Sequence, residues 1–319
     1  MQRYLIKRLL LAIPTVFGVT VLIFVVMRIL PGDPLAVIFG EATGTYVLSE
    51  EQLRAARKSL GLDKPLYAQY FDWMGDVFRG DFGQSFWRPD PVRDMIVRRG
   101  TLSLQIAIMA VAISWIVGLP IGILSAVKRN SLLDYAARFL VTLFMAVPSF
   151  WLGLTFILIT VIFFTWKPPI TVEYLWTNPV KNLQMTIGPA IAMGVGLGAF
   201  IARMNRTTLL EVVREDYVRT ARAKGLRERA VILRHALKNS LLPVVTVSGL
   251  QLAGLMGGSV AVERAFGVPG LGTALVQAIT ERDWMVIQNL VLLYALIFVF
   301  VNLAIDLAYG WIDPRVRYG

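Results

Sequence analysis

The chain has 319 residues, of which 56% are hydrophobic and only 17% charged, and its mean hydropathy is +0.63. A water-soluble domain carries roughly a quarter charged residues, so composition excludes an ordinary soluble fold and favours one membrane domain. A net charge of +11 would suggest nucleic acid as partner for a soluble protein, but in a membrane protein it reflects Lys and Arg gathered in cytoplasmic loops, and no nucleic-acid partner is expected.

Along the chain, Arg3, Lys7 and Arg8 precede an apolar run from Leu9 to Met27. The run is longer than a signal-peptide core and no small-x-small site follows it, so it is predicted to be an uncleaved first span near 9–30. Residues 31–100 are too long for a turn and too polar to cross. They are expected to form a small external, periplasmic-side segment with two amphipathic helices, Glu50–Leu60 and Pro65–Phe78, split by Gly61 and Pro65. In the second helix Tyr67, Tyr70, Phe71, Met74, Val77 and Phe78 recur at helical spacing. The remaining 101–319 hold five more segments able to cross a core of ~30 Å, which takes about 20 helical residues. They lie near 102–126, 136–165, 186–205, 241–262 and 287–309, the third divided by Pro148.

Charge sets the orientation. Residues 1–8 carry three basic residues and no acid, 127–138 carry three against one, and 203–238 carry ten against four, a net of +6. The alternate connections 31–100, 166–185 and 263–286 are within one charge of neutral. Every strongly positive connection therefore falls on one side, which places both termini in the cytoplasm.

Gly118, Pro120 and Gly122 in the second span, and Gly194, Gly196 and Gly198 in the fourth, fit close helix packing. The alternative is that these positions, with Pro148, let helices pivot around a pathway. No phosphate-binding G-x-x-x-x-G-K-[ST] loop, H-E-x-x-H set or buried serine–histidine–carboxylate set is present. Cysteine is absent, which excludes thiolate metal sites and cysteine nucleophiles. The single histidine, His235, lies in a basic stretch and fits a structural or interface role. Arg28, Arg203, Glu263 and Asp306 all lie close to span ends, which argues against a proton- or sodium-coupled carrier with ionisable groups deep in the membrane. A non-catalytic membrane subunit follows, with no metal and no cofactor on this chain. The energy for pumping must come from another polypeptide.

The 203–238 loop is patterned. Leu209–Arg214 extends the fourth span as a polar helix, Asp216–Lys224 forms a short helix ended by Gly225, and Arg227–Lys238 forms a basic helix leading into the fifth span. A helix–glycine–helix hairpin of this kind is a rigid knob.

The stretch Asp216-Tyr217-Val218-Arg219-Thr220-Ala221-Arg222-Ala223-Lys224-Gly225 resembles the E-A-A loop of ABC importer permeases. Arg219-Thr220-Ala221 stands where Glu-Ala-Ala would be, and Gly225 matches the loop glycine. Arg28-Ile-Leu-Pro-Gly-Asp33-Pro34, Leu60-Gly-Leu-Asp-Lys-Pro65, Gly80-Asp-Phe-Gly83, His235 to Pro243, Pro269-Gly-Leu-Gly272 and Asp313-Pro-Arg315 are similar to signatures of the dipeptide/oligopeptide/nickel importer family, B-type subunit. The resemblance implies an all-α membrane protein with the type I ABC importer permease fold and six transmembrane helices. It also implies half of a translocation pathway for di- or oligopeptides, with nickel complexes, glutathione or oligosaccharides, or a stand-alone carrier, as alternatives. The implied partners are a homologous second permease, two ATPase subunits carrying ATP and Mg2+, an extracytoplasmic substrate-binding protein and membrane lipid. Asp216–Gly225 would be the coupling helix docked on an ATPase. The 31–100 and Glu263–Arg282 segments would face the binding protein, and Met145, Ser149, Trp151 and Gln251 would line the pathway.

Overall fold

The computed structural model describes residues 2–29, 54, 58, 62–88, 90–169 and 171–312. Its helices in chain order are α1 (Gln2–Ile29), α2 (Leu66–Phe78), α3 (Val92–Val127), α4 (Leu132–Ala146), α5 (Ser149–Phe164), α6 (Pro179–Val212) and α7 (Asp216–Ala223), followed by α8 (Glu228–Gly258), α9 (Val260–Phe266), α10 (Leu271–Glu281) and α11 (Trp284–Ile312). Within the described residues α1, α3, α6, α8 and α11 are long and apolar enough to cross a membrane, and α4 with α5 makes a sixth unit if counted as one broken span.

The third expected span, 136–165, is not a single rod. Proline lacks an N–H and forces the residue before it out of the helical region. Val147 accordingly sits at φ −88, ψ 125, Pro148 caps the next helix, and α4 and α5 meet at a 100° bend. Two other spans are longer than expected. At about 1.5 Å per residue the 36 residues of α3 and 34 of α6 exceed the membrane core by several turns. The fifth span and its preceding basic helix are one continuous helix, α8, interrupted only by a π turn at Val231–Ala236. It stops at Gly258, before the expected 262, and Ser259 leads into the separate α9.

The longest helix–helix interface joins α3 to α6, and glycine explains its closeness. A Cβ on Gly118 would collide with the carbonyl oxygen of Gly198. One on Gly122 would lie 2.6 Å from that of Ala202, and one on Gly194 2.9 Å from that of Ala110. Nothing lies within 4 Å of a Cβ on Gly196. Gly118→Val is therefore expected to lower stability by about 1–3 kcal/mol, the usual range for overpacking, whereas Gly196→Ala leaves it within a few tenths of a kcal/mol. Thermal unfolding of the detergent-solubilised protein reads both. A second packing device is Phe266 of α9, wedged where a Cβ on Gly153 of α5 or on Gly188 of α6 would meet its ring.

The external helix expected at Pro65–Phe78 is present as α2, but its buried seam differs from the expected stripe. Trp73 is buried, and Tyr70, Met74 and Val77 pack beside it against Phe24 and Met27 of α1. Tyr67, Phe71 and Phe78 point outward, at 70%, 68% and 84% exposure, because a helix presents only one face to its neighbours. Pro31–Pro34, Asp313–Arg315 and, apart from Arg54 and Lys58, the expected helix Glu50–Leu60 lie outside the described residues. Arg28 closes the outer end of α1: its guanidinium lies 3.5 Å from the Phe24 ring and donates to Gln288 of α11 and Gln69 of α2 at 3.2 and 3.3 Å.

Candidate docking site

α7 has only eight residues, too few for a stable helix in water, so tertiary packing must hold it. Val218 and Ala221 supply that anchor. They are 0% and 6% exposed and pack among Ala126 of α3, Leu209 of α6 and Val231, Ile232 and Ala236 of α8. Asp216 in the first turn favours the helix N-terminus. At the other end Gly225 adopts φ +77, a left-handed conformation costly for residues with a Cβ, and its N–H donates to the Arg222 carbonyl at 2.9 Å.

Two side-chain ties lock the knob. Arg222 reaches back across the Gly225 turn to Glu228, donating from Nη2 at 2.8 Å and Nε at 3.1 Å, and from Nη1 to the Val213 carbonyl at 3.3 Å. The Glu228 partner holds the Arg222 guanidinium more firmly protonated than usual. Asn239 of α8 donates to the Tyr217 hydroxyl at 2.7 Å. The face turned away from the membrane domain presents Asp216, Tyr217, Arg219, Thr220, Ala223, Lys224 and Gly225, all exposed. Among the described residues Arg219 is held there by an exposed 3.4 Å contact with Asp216, an interaction worth about 1 kcal/mol at most. His235 is exposed on the π turn of α8.

Just above the knob lies a buried ion pair that sequence reasoning missed. Asp134, in the first turn of α4, is fully buried and accepts from Arg206 Nε and Nη2 of α6, both at 2.9 Å, as well as from Ser125 Oγ and the Asn130 N–H. One local signal was available: Ser131-x-x-Asp134 has capping-box spacing, and Ser131 Oγ does accept from the Asp134 N–H at 3.3 Å.

On the opposite side of the membrane, Glu263 of α9 lies close to the end of α8, as expected, and is buried there. Its carboxylate accepts from Ser259 Oγ (2.7 Å), Ser103 Oγ of α3 (3.0 Å) and the Thr273 N–H in the first turn of α10 (2.8 Å). The Pro269-Gly-Leu-Gly272 motif makes this possible, since a Cβ on Gly270 would collide with that carboxylate. The external segment is tied to the same corner. Asp283 accepts from Ser85 Oγ and the Phe86 N–H, Arg88 pairs with Glu281 at 2.8 Å, and Asn289 donates to the Phe82 carbonyl at 2.8 Å. Burial pushes the Asp283 carboxyl above its ordinary range, an effect opposed by its hydrogen bonds. Gly80 and Gly83 of the Gly80-Asp-Phe-Gly83 motif both take positive φ, and Asp81 accepts from the Gly83 N–H at 2.8 Å.

The four pathway candidates divide. Met145, Ser149 and Trp151 flank the α4–α5 elbow, while Gln251 is exposed on α8. Met145 and Trp151 are 36% and 53% exposed, so this chain by itself encloses neither.

Residues 118–318 match the family described as binding-protein-dependent transport system inner membrane component, and residues 1–107 match that family's N-terminal component. The glutathione transport system permease protein GsiC of Escherichia coli K12 is 38% identical over 318 residues, covering all of both chains. The oligopeptide transport system permease protein AppB of Bacillus subtilis is 36% identical over 321 residues, again covering both completely. The dipeptide transport system permease protein DppB of Escherichia coli K12 is 38% identical, covering all of this chain and 99% of its own. Among solved structures, a chain of the MetNI methionine ABC transporter in inward-facing conformations superposes with a TM-score of 0.56 at 22% identity, covering 69% of this chain and 96% of that one; it shares the fold. With the helical architecture, the positive-inside charge pattern and the full-length likenesses agreeing, this chain belongs to the binding-protein-dependent transport system inner membrane component family, as an ABC importer permease.

Proposed function

We propose that this permease forms half of the translocation pathway of an ATP-driven importer of di- and oligopeptides, pairing with a homologous second permease. Two ATPase subunits binding ATP and Mg2+ supply the energy, and a substrate-binding protein delivers the peptide from outside. The observation that carries this reading is α7: a short helix anchored by Val218 and Ala221, braced by Arg222–Glu228, with a polar outer face on the cytoplasmic side. A knob built this way transmits a push to α3, α6 and α8, the helices it sits on. The relatives named above transport glutathione, oligopeptides and dipeptides, which share the peptide backbone, and this supports peptides as the substrate class. The 62–91 segment and the Glu281–Asp283 corner, tied together by hydrogen bonds, form the surface offered to the binding protein.

Driving the pathway from a strongly inward resting state to a mostly outward one requires ATP to favour the outward state by about 5 kcal/mol, and the knob is the element through which that difference reaches the spans. Reconstitution tests the reading. Proteoliposomes holding both permeases and the ATPases, with binding protein outside and ATP inside, should accumulate labelled di- or tripeptide and lose uptake when ATP is withheld. Gradient-driven uptake by this chain alone, without any ATPase, would establish a stand-alone carrier instead.

A further inference from the structure

Between α3, α4 and α6, on the side of the membrane that carries α7, lies a groove of about 560 Å³ lined by Arg129, Arg138, Arg203 and Arg206, with Ser125 and Thr142 among its polar groups. A cavity of this size is within the ~300–1,000 Å³ range of small-molecule sites. Arg206 is neutralised by its two-pronged bond to Asp134. Arg129, Arg138 and Arg203 are exposed and pair with no described carboxylate; the Arg138 guanidinium lies 5.7 Å from the Tyr135 ring centroid. The groove thus gathers four guanidiniums around one carboxylate, and that carboxylate is buried behind Arg206.

We infer that this groove binds the phosphodiester headgroup of an anionic phospholipid of the inner leaflet. The planar guanidinium fork matches phosphate oxygens in two-pronged geometry, and basic pockets between spanning helices on the cytoplasmic side suit anionic headgroups. A lipid rather than free phosphate is favoured by the rest of the lining. Ile121, Val141 and Ala202 give the groove itself an apolar wall beside the guanidiniums, on which acyl chains can lie. Leu210, which also lines the groove, packs on the cluster that anchors α7. A bound headgroup therefore braces α4 against α6 directly beside the docking knob. Arg206 acts as a fixed wall of the site, because Asp134 and Ser125 hold its Nε in place.

The test uses the full chain purified in complex with its partner subunits, stripped of lipid and titrated with phosphatidylglycerol or phosphatidylethanolamine while native mass spectrometry counts bound lipid. Phosphatidylglycerol should bind about tenfold or more tighter than phosphatidylethanolamine, as expected for several cations facing one phosphate at the membrane surface. The preference should weaken as salt is raised. Arg138→Ala with Arg203→Ala should abolish it at an unchanged melting temperature, and the Lys pair should retain part of it. If the alanine pair fails to assemble, the lysine pair and the salt dependence decide. Equal binding of the two lipids, or an unchanged preference in the alanine pair, would overturn the inference. So would displacement of phosphatidylglycerol by millimolar inorganic phosphate, which would mark a free-anion site. A preference seen in the isolated chain but absent from the complex would mean that the second permease covers the groove, and would overturn it equally.

Discussion

Reversing the charge and removing the ring on the outer face of α7, by Tyr217→Ala with Arg219→Glu, is expected to reduce ATP-dependent uptake at least about tenfold, the loss that ~1.4 kcal/mol of docking energy would produce. Arg219 is exposed and its reversal should change stability by no more than a few tenths of a kcal/mol, while loss of the Asn239–Tyr217 hydrogen bond should cost about 1 kcal/mol, so the membrane domain should still unfold as one folded protein. The inner face behaves differently. Val218 is fully buried among Leu209, Val231 and Ala236, and Val218→Asp places a carboxylate there without a partner, costing about 3 kcal/mol or more. That variant should lose both the knob and transport, with the loss visible in thermal unfolding. Replacing the whole Tyr217–Ala221 stretch by Gly and Ser would mix these effects, since it removes the anchor together with the outer face. Gly225 occupies a third category. A Cβ there meets nothing within 4 Å, but φ +77 makes any side chain strained by roughly 1–2 kcal/mol, so Gly225→Val should loosen the turn without a steric clash.

The second large effect concerns Asp134. Asp134→Ala leaves Arg206, only 20% exposed at its side chain, without its carboxylate, and removes the acceptor of the Ser125 hydroxyl and the Asn130 N–H. Breaking one side of a buried ion pair typically costs about 3–5 kcal/mol, and the partial exposure of Arg206 places this case at the lower end. The double change Asp134→Leu with Arg206→Leu should cost clearly less than the sum of the single changes, because it removes the stranded charge along with its partner. Thermal unfolding of the four proteins in one detergent measures the coupling directly. Additive losses would show that the pair contributes nothing beyond its separate parts.

Much of this architecture was legible because it rests on local physics. Apolar length marked the spans, and Pro148 marked the break in the third. The glycine at 225 marked the end of a helix expected at 216–224 and found at Asp216–Ala223. Span ends were harder to place. Arg93, Arg98 and Arg99 make 92–100 read as part of the external segment, yet those residues form the first turns of α3, where Arg93 and Arg98 are exposed and Arg99 is half-buried. The α2 stripe was off by a rotation: spacing alone admitted Tyr67, Phe71 and Phe78, and only packing against Phe24 selected Tyr70 and Trp73. What sequence could not supply were partnerships between distant residues. Arg206 meets Asp134 from 72 positions away and Ser103 meets Glu263 from 160. Capping-box spacing marks Asp134 as a helix-start residue, but nothing local names its partner or that of Glu263, and the requirement for glycine at 270 becomes visible only once the Glu263 carboxylate is seen against it.

The central claim is that the exposed face of α7 docks on a separate ATPase, and the absence of cysteine from the chain allows a direct measurement. Thr220→Cys places one thiol on the outer face of α7, and Thr280→Cys places one, as a control, on the exposed end of α10 across the membrane. In the assembled transporter the thiol at 220 should form a short-range cross-link to an ATPase subunit, with a yield that changes on adding ATP, while the thiol at 280 should form none. Failure of the 220 thiol to cross-link any ATPase in a complex that still transports peptide would contradict the account.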